Sequence, residues 1–176
     1  SSVPHRATRT AVSWATHVPC ESFLAARSTV APQHFRQKIV LHRQLTNLGV
    51  ELLYLLFIVL GLDRIAADGI DGNISVKLTQ LGMGMDDDLC AAALDVLARR
   101  ASDLGLTVTV DMEEATHTAT TIALYEKAQA RHGNLGIALQ AYLRRTPEDL
   151  TALAALGGHI RLCKGAYDED EEIAYR

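Results

Sequence analysis

Aromatic residues are scarce: the 176-residue chain holds three Phe, one Trp and five Tyr. So few flat rings exclude both a platform on which nucleobases stack and a sandwich core built around aromatics. Cysteine is equally thin, at Cys20, Cys90 and Cys163 only. An odd number with no close pair excludes a disulfide framework and a four-ligand zinc site, and fits a reducing compartment. His17 and Cys20 have an H-x-x-C spacing, but no second ligand pair follows, so no metal is expected. Also missing are a G-x-G-x-x-G after a strand, the mark of a Rossmann turn, and the G-x-S-x-G nucleophile elbow of serine hydrolases.

What is present is ordinary for a globular chain: 48% hydrophobic and 22% charged residues, enough to bury a core. The net charge of −4 is unevenly spread. Residues 1–46 carry six Lys/Arg against the single acid Glu21, leaving 11 basic and 20 acidic residues beyond them. An acidic body without a basic stripe argues against a nucleic-acid partner.

The first 46 residues are rich in Ser, Thr and Arg and begin without Met, which reads either as an organellar transit peptide or as irregular sequence. Residues 48–62, LGVELLYLLFIVLGL, are the greasiest run. A membrane-spanning helix needs about 20 apolar residues, so a buried helix or strand is expected here, with an interfacial membrane anchor as the alternative.

A repeated pattern then starts. Four β-like segments occur at residues 73–78, 107–112, 136–142 and 159–165, each followed by a helical stretch. The first helix starts at Asp86-Asp87-Asp88, where one acid caps and the others suit the dipole, and stops at Gly105. The second runs from about Thr116 to His132, with Gly133 behind it. The third has Thr146 as cap and Pro147 in its first turn, and residues 168–172 would start a fourth. Strand and helix in alternation predict an α/β fold with a parallel sheet and right-handed crossovers.

Side chains alternate faces along a strand. One set is aliphatic: Ile74, Val76 and Leu78; Val108 and Val110; Ile137 and Leu139; Ile160 and Leu162. The other reads Ser75 and Lys77; Thr107, Thr109 and Asp111; Ala138 and Gln140; His159 and Arg161. In each strand this second face puts a polar head near the carboxyl end, where barrel enzymes keep their chemistry. Two cations, Lys77 and Arg161, separated by the carboxylate Asp111, suit an anionic substrate and a cofactor that becomes electron-rich. A lyase with Lys77 as a Schiff base is the rival barrel chemistry.

These residues carry a resemblance. NISVKLTQLGMGMD, VTVDMEEATHTATTIALYEKA, LGIALQAYLRRTPEDL and IRLCKGAYDEDEEIAYR resemble proline dehydrogenase, in order and over about residues 62–176. The resemblance implies a (β/α)8 barrel of which four βα units are present, with residues 1–61 as an N-terminal extension and 62–176 as the partial barrel. It implies oxidation of L-proline to Δ1-pyrroline-5-carboxylate, hydride transfer to FAD, and quinone as the next electron acceptor. By motif position, Lys77 would bind the proline carboxylate and Asp111 would orient the site near the amine. Arg161 would hydrogen-bond near the flavin N5. Met112, Gln140, Lys164, Gly165 and Ala166 would contact FAD, Gly165 by allowing close backbone approach, and Tyr167 would line the same pocket.

The implied location is the cytoplasm, at the periphery of the inner membrane, or the mitochondrion. The family's late R-R-x-x-E helix has no counterpart before Arg176, and Arg144-Arg145 match a different position. About 115 residues of barrel are half of what eight units need, so the length reads as that of a truncated chain. The alternative is a non-catalytic half-barrel or a membrane-adhering interaction protein.

Overall fold

The computed structural model describes residues 33–176, with side chains from residue 49. The His17/Cys20 pair and residues 1–32 of the transit-peptide reading fall outside the described residues, while residues 33–46, read as irregular, are helical. The chain divides into two compact units after residue 39, and the unit Val40–Arg176 carries the features below. The elements run α1 (Gln33–Ala67), β1 (Asn73–Val76), α2 (Asp87–Asp103), β2 (Thr107–Val110), α3 (Thr118–His132), β3 (Leu135–Gln140), α4 (Thr146–Ala154) and β4 (Ile160–Cys163). The four strands pair in parallel in the order β1-β2-β3-β4, the arrangement of a partial α/β barrel.

Local chemistry accounts for several of the boundaries. Asp86 caps α2 by accepting from the Leu89 amide at 3.0 Å, and Asp87 and Asp88 occupy its positive end. Gly133 ends α3 in the left-handed region, at φ +73°, which only glycine enters without cost. Thr146 departs from its expected role. It sits inside the first turn of α4, and its hydroxyl donates to the Gln140 carbonyl, tying the helix start to the end of β3.

Residues 168–172 do not form the expected helix. The Glu169 carboxylate, which would have served a helix start, accepts from the Ala115 amide at 2.7 Å. The backbone that follows pairs instead with the segment after β3, through Leu143 and Ala174, Arg144 N to Ile173 O, and Tyr175 N to Tyr142 O.

The aliphatic set forms the core. Val76, Val108, Val110, Ile137 and Leu139 are buried against Leu94, Leu97, Ala98 and Ala101 of α2 and Leu124, Tyr125 and Ala128 of α3. The small residues of α2 let that helix approach the sheet closely. Leu162 on β4 differs, with 56% of its surface exposed.

The greasy run at 48–62 is helical and lies within α1, which continues through the boundary expected at residue 61. Ile58 and Leu62, one turn apart, join the same core, and Gly61 lets the helix come close to Ile74. The run looked separate because it carries no motif, yet one side of it packs as part of the helical layer. Its other side, including Val50, Leu53, Phe57 and Leu60, is exposed. No helix among the described residues is long and apolar enough to cross a membrane.

Candidate active site

The second set of strand residues meets on the concave side of the sheet. Lys77 Nζ lies 3.4 Å from Asp111 Oδ2, while the Arg161 guanidinium holds the other oxygen of Asp111. Arg161 also donates from Nη1 to Ser75 Oγ at 3.0 Å. β1 and β4 are three strand spacings apart, about 14 Å on a flat sheet, more than an arginine standing off it spans. The bond therefore records the curl of the sheet.

Two small residues on β3 make that crossing feasible. Arg161 is the register partner of Ala138 and passes over it toward β2 and β1. One layer below, His159 crosses Gly136 to bond Thr109 Oγ1 at 2.7 Å, and a Cβ on Gly136 would collide with the imidazole. Asn73 donates to the same threonine at 3.2 Å, so the lower layer is a small hydrogen-bonded cluster under the ion pairs.

All nine residues picked out in the sequence line one cleft of about 350 Å³: Lys77, Asp111, Met112, Gln140, Arg161, Lys164, Gly165, Ala166 and Tyr167. Ala138 and Cys163 complete its wall. Three cations against one carboxylate leave the cleft suited to an anion. Gln140 is buried; its amide nitrogen donates to the carbonyls of Met112 and Glu113, while its Oε1 has no donor. A buried acceptor without a partner on this wall is the kind of group a ring N–H of a bound heterocycle would satisfy, so the residues fit a flavin.

Gly165 has a reason for being glycine within the chain itself. Its φ is +122°, and a Cβ there would run into the Tyr142 ring. This intramolecular requirement stands beside the cofactor approach implied by the resemblance.

Two residues that organise the cleft were not singled out in the sequence. Buried Glu113 accepts from both the amide and the hydroxyl of Thr79, which pins the 3-10 turn Leu78–Leu81 that follows Lys77. Tyr142 underlies residues 164–167. Both were within reach of the same period-2 pattern, extended by two residues from Asp111 and from Gln140. Cys90 is inert by contrast: it sits on the buried face of α2, where burial pushes its thiol up to about 12.

The family model for proline dehydrogenase matches residues 32–176, starting 30 residues upstream of the boundary drawn from the motifs. Proline dehydrogenase 1 of Bacillus subtilis (strain 168) is 32% identical over 114 residues, covering 65% of this chain and 38% of that protein. Proline dehydrogenase of Deinococcus radiodurans is 32% identical over 114 residues, covering 62% and 37% respectively. The chain thus spans under two fifths of these relatives. Among solved structures, proline utilization A from Bdellovibrio bacteriovorus inactivated by N-propargylglycine superposes with a TM-score of 0.62 at 22% identity, over 68% of this chain and 16% of that one. A structure of proline utilization A with proline bound in remote sites gives 0.60 at 24%, over 66% and 14%. At these identities the structural likeness speaks for the fold.

Proposed function

Since the chain belongs to the proline dehydrogenase family, its match covering residues 32–176, we propose that it forms part of an enzyme that oxidises L-proline to Δ1-pyrroline-5-carboxylate. The observation that carries this is the single carboxylate Asp111 set between Lys77 and Arg161 in a cleft walled by Gln140 and residues 164–167. Proline dehydrogenases are flavoenzymes, and FAD is the flavin this cleft would receive. When bound, FAD supplies the acceptor for the hydride that leaves the proline ring carbon next to nitrogen, and quinone takes the electrons afterwards.

Lys77 binds the substrate carboxylate; its amine is exposed enough to meet a ligand, and Asp111 fixes it on one side. Asp111 accepts hydrogen bonds and faces the substrate amine, holding the ring in one orientation. Arg161, oriented by both Asp111 and Ser75, places a fixed positive charge where negative charge builds during the reaction. Gln140, Met112, Lys164, Gly165 and Ala166 would hold the cofactor, and Tyr167 would close the wall.

The test is optical. The chain is purified with FAD, its bound flavin spectrum recorded, and proline added. A retained flavin that bleaches with proline, and an Arg161→Met variant that bleaches at least about a hundredfold more slowly, are the expected results. A chain that retains flavin yet never bleaches reduces the function to cofactor binding. A chain that retains none overturns the reading.

A second reading, a non-catalytic half-barrel that adheres to a membrane surface, draws on the exposed apolar side of α1. Membrane contact through Val50, Leu53, Phe57 and Leu60 also fits an enzyme working at the cytoplasmic face of the inner membrane, or in the mitochondrion, as a peripheral protein. Co-sedimentation with anionic vesicles that is lost on Phe57→Glu checks it.

A further inference from the structure

The ladder between β3 and β4 ends with the pair Gln140 and Cys163. Residues 164–167 follow without secondary structure, yet they make up much of one wall of the cleft. Tyr142 supplies what the sheet no longer does. Its amide donates to the Lys164 carbonyl at 3.0 Å, continuing the ladder by one bond. Its phenol then reaches ahead and donates to the Tyr167 carbonyl at 3.0 Å. Between these two points the ring lies against Gly165, in the space a side chain would need. Three contacts from one residue thus fix both ends and the middle of the four-residue strip.

Burial raises the Tyr142 hydroxyl above the ordinary tyrosine range, and the Glu169 carboxylate nearby adds to that. The phenol therefore keeps its proton, and with it the bond to Tyr167, through the physiological range. Tyr142 itself lies on the far side of the strip from the cleft, among Asp168, Glu169, Ala174 and Tyr175. Anything it does for a ligand it does through residues 164–167.

We propose that Tyr142 is a positioning residue for the cofactor: it holds the strip of residues 164–167 in the shape that receives the flavin. This rests on the reading of the cleft as an FAD site. Without the ring and the phenol, the strip would have to be ordered by the ligand itself, and that ordering cost would appear as weaker binding.

The experiment uses the full chain and two readouts. Hydrogen exchange of residues 164–167 reports the order of the strip in the absence of ligand, and quenching of FAD fluorescence reports affinity. Tyr142→Phe removes one hydrogen bond and keeps the ring; Tyr142→Leu removes both. The Phe variant should bind FAD about threefold more weakly and the Leu variant at least about tenfold, with faster exchange confined to the strip. Leu94→Ala in α2 serves as a control that lowers stability away from the cleft. Below its melting temperature it should bind FAD as the wild type does.

The proposal is overturned if the Leu variant binds FAD normally, or if Leu94→Ala weakens binding as much as Tyr142→Leu does. A wild-type chain that takes up no FAD sinks the flavin reading instead, and the role of Tyr142 toward it as well. The exchange data then still decide whether Tyr142 orders the strip.

Discussion

The outward face of the sheet is aliphatic and sealed: Val76, Val108, Val110, Ile137 and Leu139 are buried under α2 and α3. The inward face of the same strands is polar and partly wet, with side chains of Lys77 and Arg161 44% and 47% exposed around Asp111. One residue of offset along a strand separates the two. Burial stabilises the first face in proportion to area, roughly 25 cal/mol per Å² of apolar surface. Ion pairs as exposed as those of the second face contribute at most about 1 kcal/mol each. The stability of the unit therefore lies on one side of the sheet, and the inward side is left free to serve chemistry.

This contrast can be broken by substitution on either side. Leu139→Ala should cost about 2–5 kcal/mol in denaturant-induced unfolding, because it opens a cavity in the sealed face. A loss under about 1 kcal/mol would show that face to be loosely packed. Gly136→Ala, on the inward side, should cost about 1–3 kcal/mol, since the new methyl group collides with His159. Pairing it with His159→Ala should recover most of the loss. Arg161→Met should change stability by no more than about 1 kcal/mol while slowing proline-dependent bleaching at least about a hundredfold. A large drop in stability would assign the ion pairs a structural role and blur the contrast.

Thiol chemistry offers the mildest probe. With its thiol pushed up to about 12, enclosed Cys90 is ionised in about one molecule in ten thousand at pH 8. Exposed Cys163, on the cleft wall, should alkylate with iodoacetamide while Cys90 stays unlabelled, as read by peptide mass spectrometry. The sign of the pH effect follows from the raised value. The folded protein retains the Cys90 proton where the unfolded chain, titrating near 9, releases it, so this contribution to stability is complete below pH 9 and declines between 9 and 12.

Residue alternation made the site legible. Lys77, Asp111, Gln140 and Arg161 share a face because a strand repeats every two residues; the first three stand at or just past a strand's carboxyl end, and Arg161, second in β4, reaches across Ala138 to join them. The Asp86 cap and the Gly133 stop were equally plain, since both act on their own backbone. What escaped was decided by partners distant in sequence. Thr146 looks like a helix cap until the Gln140 carbonyl competes for its hydroxyl. The acidic run at 168–172 looks like a helix start until Ala115 claims Glu169. The buried helix expected at 48–62 is there, but which of its sides packs was not legible: Ile58 and Leu62 sit in a run so apolar that no face stands out in it, and only the sheet distinguishes the packed side.

The bond from Arg161 to Ser75 ties together the two outermost strands of the sheet. It works as a caliper. Its jaws close only when the sheet has the right curl, and the same guanidinium grips Asp111. Flattening the sheet would draw Arg161 away from Ser75 and Asp111 together, leaving the carboxylate with Lys77 alone. Whatever sets the curvature elsewhere in the molecule, at either open edge of the sheet, thereby tunes the charge balance of the cleft without touching a single residue in it.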